Sequence, residues 1–112
     1  MVKLSVIGAK DFDDYKMLAD ELNKESIDVL VTGGKQGADL LAHEYCLDHE
    51  IPMQVILPEY DRHGKSANYK RNLQIIEQSN RIIVFWDYYK KSPFNYLPYV
   101  KQLNISFRTV IY

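Results

Sequence analysis

The chain of 112 residues is long enough for one domain with a real core, and 46% hydrophobic with 26% charged residues is a globular composition. A net charge of −1 argues against a protein whose main task is gripping duplex nucleic acid, which calls for a basic surface. A single cysteine, Cys46, excludes an internal disulfide; no apolar stretch nears membrane-spanning length, and Met1-Val2-Lys3 shows no secretory leader, so a cytoplasmic setting is expected.

Lys3-Leu4-Ser5-Val6-Ile7-Gly8 reads as a first strand ending in glycine. After a short connection, Asp11 or Asp13 can cap a helix running to about Asn23, with Tyr15, Leu18, Ala19 and Leu22 on one face. Ile27 to Val31 is short, apolar and β-branched, the pattern of a buried second strand. Past a glycine-rich turn, Ala38, Leu41, Ala42 and Tyr45 recur at helical spacing and should face the sheet. Leu40, His43 and Leu47 form a second stripe on that helix, a candidate oligomer contact. Met53 to Leu57 is the third strand, and Pro58 to Gly64 a polar loop. Ser66 can cap a third helix with Tyr69, Leu73 and Ile76 facing inward. Arg81 to Trp86 is the most apolar strand and is therefore expected at the centre. Pro93 suits the start of a fourth helix reaching about Leu103, which Pro98 forces either to kink or to begin late. Ser106 to Ile111 completes the pattern as a last strand. Strands alternating with helices, without repeat or linker, predict a single α/β domain over residues 1–112. The expected architecture is a Rossmann-like three-layer sandwich, a parallel five-stranded sheet with helices on both faces.

In such a sheet, ligands bind beyond the carboxyl ends of the strands. The segment Thr32-Gly33-Gly34-Lys35-Gln36-Gly37-Ala38-Asp39 lies there, between a buried strand and a helix N-terminus. Free backbone N–H groups and the helix dipole make that place attractive to phosphate or carboxylate; a tight turn with no ligand accounts equally well for the turn alone. The loops gathering at the same edge also carry Lys10, Asp11, Lys65, Asn68, Arg71 and Lys91, and basic side chains converging on a helix N-terminus suit a phosphorylated ligand. Trp86 can line a base pocket and Asp87 can accept from a ribose or base. The turn lacks the Gly-Lys-Ser/Thr ending of a P-loop and follows the second strand, not the first, so ordinary NTPase or NAD dehydrogenase chemistry is not expected. His43, His49 and His63 have no metal-ligand spacing, Cys46 lacks a surrounding motif, and the acids at 11, 13 and 14 suit a helix start better than a cation, so neither metal nor cofactor is expected.

Four motifs in order resemble the SLOG superfamily of DprA- and LOG-like Rossmann proteins, and within it the small stand-alone YspA-like group. Gly8-Ala9-Lys10-Asp11-Phe12 resembles Gly-Ser-Arg-Asp-Phe, and Thr32 to Asp39 resembles Ser-Gly-Gly-Ala-Arg-Gly-Ala-Asp. Gly64-Lys65-Ser66-Ala67-Asn68-Tyr69-Lys70-Arg71-Asn72 resembles Gly-Lys-Ala-Ala-Gly-Pro-x-Arg-Asn, and Phe85-Trp86-Asp87 also fits. The resemblance implies binding of a nucleotide or nucleotide-derived small molecule over the glycine turn. Glycosidase relatives carry a second motif, Pro-Gly-Gly-x-Gly-Thr-x-x-Glu, where this chain reads Asp87-Tyr88-Tyr89-Lys90-Lys91-Ser92-Pro93-Phe94. Its glycines and glutamate are absent, and an oxocarbenium-like transition state needs a placed carboxylate. No catalytic residue is therefore assigned.

The leading expectation is a binding module of AMP or ADP-ribose type, with Gly8, Lys10, Asp11, Thr32, Gly33, Gly34, Lys35, Gln36, Gly37, Asp39, Lys65, Asn68, Arg71, Trp86 and Asp87 around the ligand. A nucleoside 5′-monophosphate phosphoribohydrolase is the alternative, with Asp39, Glu59 or Asp87 as the carboxylate. Single-stranded nucleic-acid binding through the nine tyrosines is a further one, disfavoured by the near-neutral charge. The Tyr88 to Tyr99 region is a candidate protein contact for a homodimer.

Overall fold

A computed structural model describes residues 1–8, 11–33, 37–86 and 97–112, with Asn68 and Leu97 described by their backbone alone. The strands are β1 (Lys3–Gly8), β2 (Val29–Thr32), β3 (Met53–Val55), β4 (Arg81–Trp86) and β5 (Ser106–Ile111). Between them lie α1 (Tyr15–Leu22), α2 (Ala38–Asp48), a four-residue α3 (Tyr60–His63), a 3-10 turn at Gly64–Ser66, α4 (Ala67–Glu77) and α5 (Leu97–Gln102). The five strands form one all-parallel sheet in the order β3-β2-β1-β4-β5. This is the expected Rossmann-like three-layer α/β architecture.

Alternation along each strand divides the core between two faces. Leu4 and Val6 of β1, Leu30 of β2 and Ile83 and Phe85 of β4 join Leu18 and Leu22 of α1 and Ala38, Ala42, Tyr45 and Cys46 of α2. On the other face Ile82 and Val84 of β4 pack with Ile76 of α4 and Val100 of α5. Burial of these methyl-rich side chains supplies the main stabilisation, on the order of 1.5–3 kcal/mol for each large one. Among the described residues no helix is long and apolar enough to cross a membrane.

Several local expectations are corrected. The centre of the sheet is β1, with β4 beside it: an apolar run reports helices on both faces, and every interior strand here has those. The N-cap of α1 is Asp14, whose Oδ1 accepts from the Met17 amide at 3.0 Å, so the helix starts one turn later than a cap at Asp11 would give. Ser66 holds the N-cap position of α4, yet its hydroxyl donates to the His63 carbonyl at 2.9 Å and caps nothing. Tyr69 is 55% exposed, while Ala67, Arg71, Ile75 and Ile76 are the buried residues of α4. The loop after β3 contains the turn of helix at Tyr60–His63. Helix α5 is described from Leu97 with Pro98 following, and residues 93–96, over which the expected fourth helix would begin, lie outside the described residues.

At the amino end of the sheet, charge ties α1 to the β5 side. Arg81 Nε lies 2.8 Å from Glu25 Oε1, and Arg108 reaches Glu21 Oε2 at 2.9 Å and Glu25 Oε2 at 3.2 Å. Burial pushes the Glu21 carboxyl up, but Arg108 and Lys24 outweigh it, and the net shift is downward. For Glu25 the bond from Arg81 leads, burial opposes, and the carboxyl again lies below its ordinary value. Four partly buried groups in one network hold better than isolated surface pairs, which contribute about 0–1 kcal/mol each.

Candidate functional site

The strand order places a switch point at β1. The chain moves from β1 outward to β2 and β3 with α1 and α2 on one face, then returns past β1 to β4 and β5 with α4 and α5 on the other. The crevice that open α/β sheets form at such a switch point would lie outside the carboxyl ends of β1 and β4, where Gly8 and Trp86 end their strands.

Described residues from all four sequence motifs meet near this edge: Gly8 with Ala38 and Phe85, Phe12 with Phe85, and Gly33 with Arg71. A Cβ built on Gly8 would lie 2.6 Å from Ala38 Cβ and 3.3 Å from Phe85 Cβ, so the first turn of α2 sits directly on the end of β1. Phe12 is 3% exposed and packs against the Phe85 ring at 4.9 Å and the Tyr112 ring at 4.6 Å. That aromatic contact ties Phe12 into the core, with the exposed Asp11 immediately before it. The resemblance gave the phenylalanine no role; its place four residues after a strand-ending glycine is the signal that it returns the chain to the core.

Gly37 opens α2 with φ +68° and ψ −134°, a backbone region that side chains avoid, and α2 begins without a side-chain cap at that position. Its first-turn N–H groups point toward the carboxyl edge, where anions are favoured. Asp39 lies in that first turn, partly buried. Thr32 is buried at the end of β2.

Arg71 is the unexpected member. It projects inward from α4, is only 2% exposed, and its Nη1 donates to the Gly33 carbonyl at 3.3 Å while Nε donates to Asn72 Oδ1 at 2.9 Å. A Cβ on Gly33 would fall 2.5 Å from Nη1 and 2.8 Å from Cζ, so the missing side chain at 33 is the space the guanidinium occupies. A buried, always-charged fork is thereby fixed against the carbonyl that opens the glycine turn. The sequence puts Arg71 among the loop residues gathering at this edge; its burial inside α4 is the part that hydropathy patterns carry no signal for.

Of the other expected site residues, Lys65 is exposed in the 3-10 turn before α4, and Trp86 is partly buried at the end of β4, whose carbonyl accepts from the Tyr112 amide at 3.0 Å. Lys10, Gly34, Lys35, Gln36 and Asp87 lie outside the described residues, as does the Asn68 side chain. The Tyr88 to Tyr96 stretch of the candidate contact region lies outside them too. Among the described residues no cluster of His, Cys, Asp and Glu is suited to a metal ion. Cys46 is buried in the α2 core, and burial pushes its thiol up to about 11, which removes it as a nucleophile. His49 stacks on Tyr45 at 4.0 Å and its Nδ1 meets the Tyr45 carbonyl at 2.8 Å, a helix-end contact away from the crevice.

No curated protein and no solved structure matches the chain. A protein-family model matches residues 2–63, which include the first two motifs, Gly8 to Phe12 and Thr32 to Asp39; the third begins just past that region and the fourth well beyond it. The chain belongs to the YspA, cpYpsA-related SLOG family.

Proposed function

We propose that the chain binds a nucleotide or nucleotide-derived small molecule, of AMP or ADP-ribose type, at the carboxyl edge of its sheet, and serves as a sensor or sequestering module. The observation that carries this reading is the buried Arg71 guanidinium held against Gly33, which keeps a permanent positive charge beside the first glycine of the turn. Amides of Gly33 to Ala38 and Lys35 hold the phosphate, with Arg71 supporting the turn and adding charge beside it. Asp39 or Asp87 contacts the ribose, and Trp86 or Tyr88 stacks on a base. Residues 1–112 act as one domain in this scheme, in a cytoplasmic setting where such ligands are abundant.

Thermal unfolding across a nucleotide panel that includes AMP and ADP-ribose tests the proposal. A true ligand at a hundredfold excess over its Kd adds about 2.7 kcal/mol of stability by mass action. Gly34→Asp should abolish the shift, because a carboxylate in the turn repels phosphate. Absence of any shift across the panel refutes the proposal. Release of free base from a nucleoside 5′-monophosphate would instead establish the phosphoribohydrolase alternative.

A further inference from the structure

At the far side of the sheet from β5, the edge strand β3 and helix α4 border a cleft of about 660 Å³, bounded by Val55, Leu57, Glu59, Gln74, Glu77 and Gln78. Three features of this cleft point to one kind of occupant.

The first is an unused strand edge. Pro52 O accepts from the Leu30 amide and the Ile56 amide donates to Thr32 O, both at 2.9 Å, so even-numbered residues spend their backbone groups on β2. Alternation turns the N–H and C=O of Met53 and Val55 outward, and among the described residues no hydrogen bond reaches Val55 or Leu57 from that side. The second is apolar exposure: Val55 is 47% and Leu57 66% exposed, directly along that edge. The third is charge. Glu59 and Glu77 border the cleft, and among the described residues no lysine, arginine or histidine lines it. Glu59 has Arg62 at 3.7 Å and His63 at 3.9 Å beside it, while Glu77 accepts from the Tyr99 hydroxyl, a donor that carries no positive charge, at 2.6 Å. Lys3 touches the rim through Gln78 Oε1 at 3.2 Å.

A strand edge running beside a helix is the geometry by which a sheet captures an extended peptide: backbone hydrogen bonds give affinity, and the two rows of alternating side chains give selectivity. Met53 packs into the core on the α1–α2 face, so Val55 shares that face, while Gln54 and Ile56 share the face with α4. We infer that this cleft takes an extended segment of a partner protein as a sixth strand, with β-branched side chains covering Val55 and Leu57 and basic side chains on the α4 face meeting Glu77.

Fluorescein-labelled peptides alternating valine and lysine, and valine and glutamate, test this by anisotropy, together with the valine–lysine peptide N-methylated throughout. The valine–lysine peptide should bind, and each of the other two should bind at least roughly tenfold more weakly, a difference of about 1.4 kcal/mol. Val55→Pro should abolish binding with little loss of thermal stability, because the removed N–H lies outside the ladder. Glu77→Gln should weaken binding several-fold and flatten its salt dependence. Amide chemical shifts of the unmodified protein give the same readout without a variant: those of Val55 and Leu57 should move on peptide addition. Failure of the valine–lysine peptide to bind, equal binding of its N-methylated form, or unmoved Val55 and Leu57 amides would overturn the proposal. So would a homodimer in sedimentation that Val55→Pro dissociates, since a second copy would then be the occupant.

Discussion

Replacing Gly33 with alanine probes the contact on which the site is built. The added Cβ would lie 2.5 Å from Arg71 Nη1 and 2.8 Å from Cζ, so the guanidinium has to move. It is 2% exposed and has little room to do so. Overpacking of this kind costs about 1–3 kcal/mol, and a buried hydrogen bond from a charged donor adds about 1.5–3 kcal/mol when broken. The two costs overlap, because a shifted guanidinium relieves the clash by giving up the bond, and about 3 kcal/mol is expected in total. At this chain length 1 kcal/mol corresponds to about 4 °C, so Tm should fall by about 12 °C. Urea unfolding of the single variant, of Arg71→Met and of the double variant measures the coupling. With the guanidinium gone, Gly33→Ala should cost under about 1 kcal/mol, since its Cβ then enters vacated space. Equal costs in both backgrounds, or a single-variant cost below about 1 kcal/mol, would refute the assignment of Gly33 as the seat of Arg71.

Other outcomes follow from the same structure. Glu21 and Glu25 have folded values below the ordinary 4.5, so in acid the unfolded chain binds more protons than the folded one. Their stabilisation is complete above that value and is lost as pH falls through the folded values; Arg108→Met should remove about 1–3 kcal/mol at neutral pH and flatten this acid limb in urea midpoints. Asp14→Ala should lower stability by about 1 kcal/mol, seen as a Tm drop of about 4 °C, while Asp13→Ala should leave it nearly unchanged, which locates the cap. Cys46, 1% exposed with its thiol pushed up to about 11, should resist a thiol reagent in the native state at mildly alkaline pH and react at once in urea.

The strands were legible because each is a short β-branched run bounded by glycine, proline or polar residues, and hydropathy reads that pattern directly. Position within the sheet was not. Ser5 interrupts β1 and lowers its apolar score, yet β1 is central because chain order and crossovers decide neighbours. Helix α4 shows the same limit at the site. Tyr69, Leu73 and Ile76 look like an inward stripe, and Ile76 is buried, but the rest of the buried side is turned toward Ala67, Arg71 and Ile75. A cation satisfied by a carbonyl 38 residues away leaves no trace in local periodicity. The glycine turn, by contrast, stands out in the sequence as a candidate ligand site from its three glycines, and Arg71 stands out beside it, although its burial at 2% exposure does not.

The placement of β1 in the middle of the sheet has a consequence during synthesis. Its β2 side can be covered early, but its other neighbour, β4, begins near Asn80, 77 residues after Lys3, to whose amide the Asn80 side chain bonds. At translation rates of roughly 5–20 residues per second, the apolar edge of β1 stays open for about 4–15 s after it leaves the ribosome. A half-sheet of β1, β2 and β3 with a bare inner edge is the species a chaperone would meet. Slowing translation between Pro58 and Asn80 should prolong that exposure without touching any contact in the finished fold.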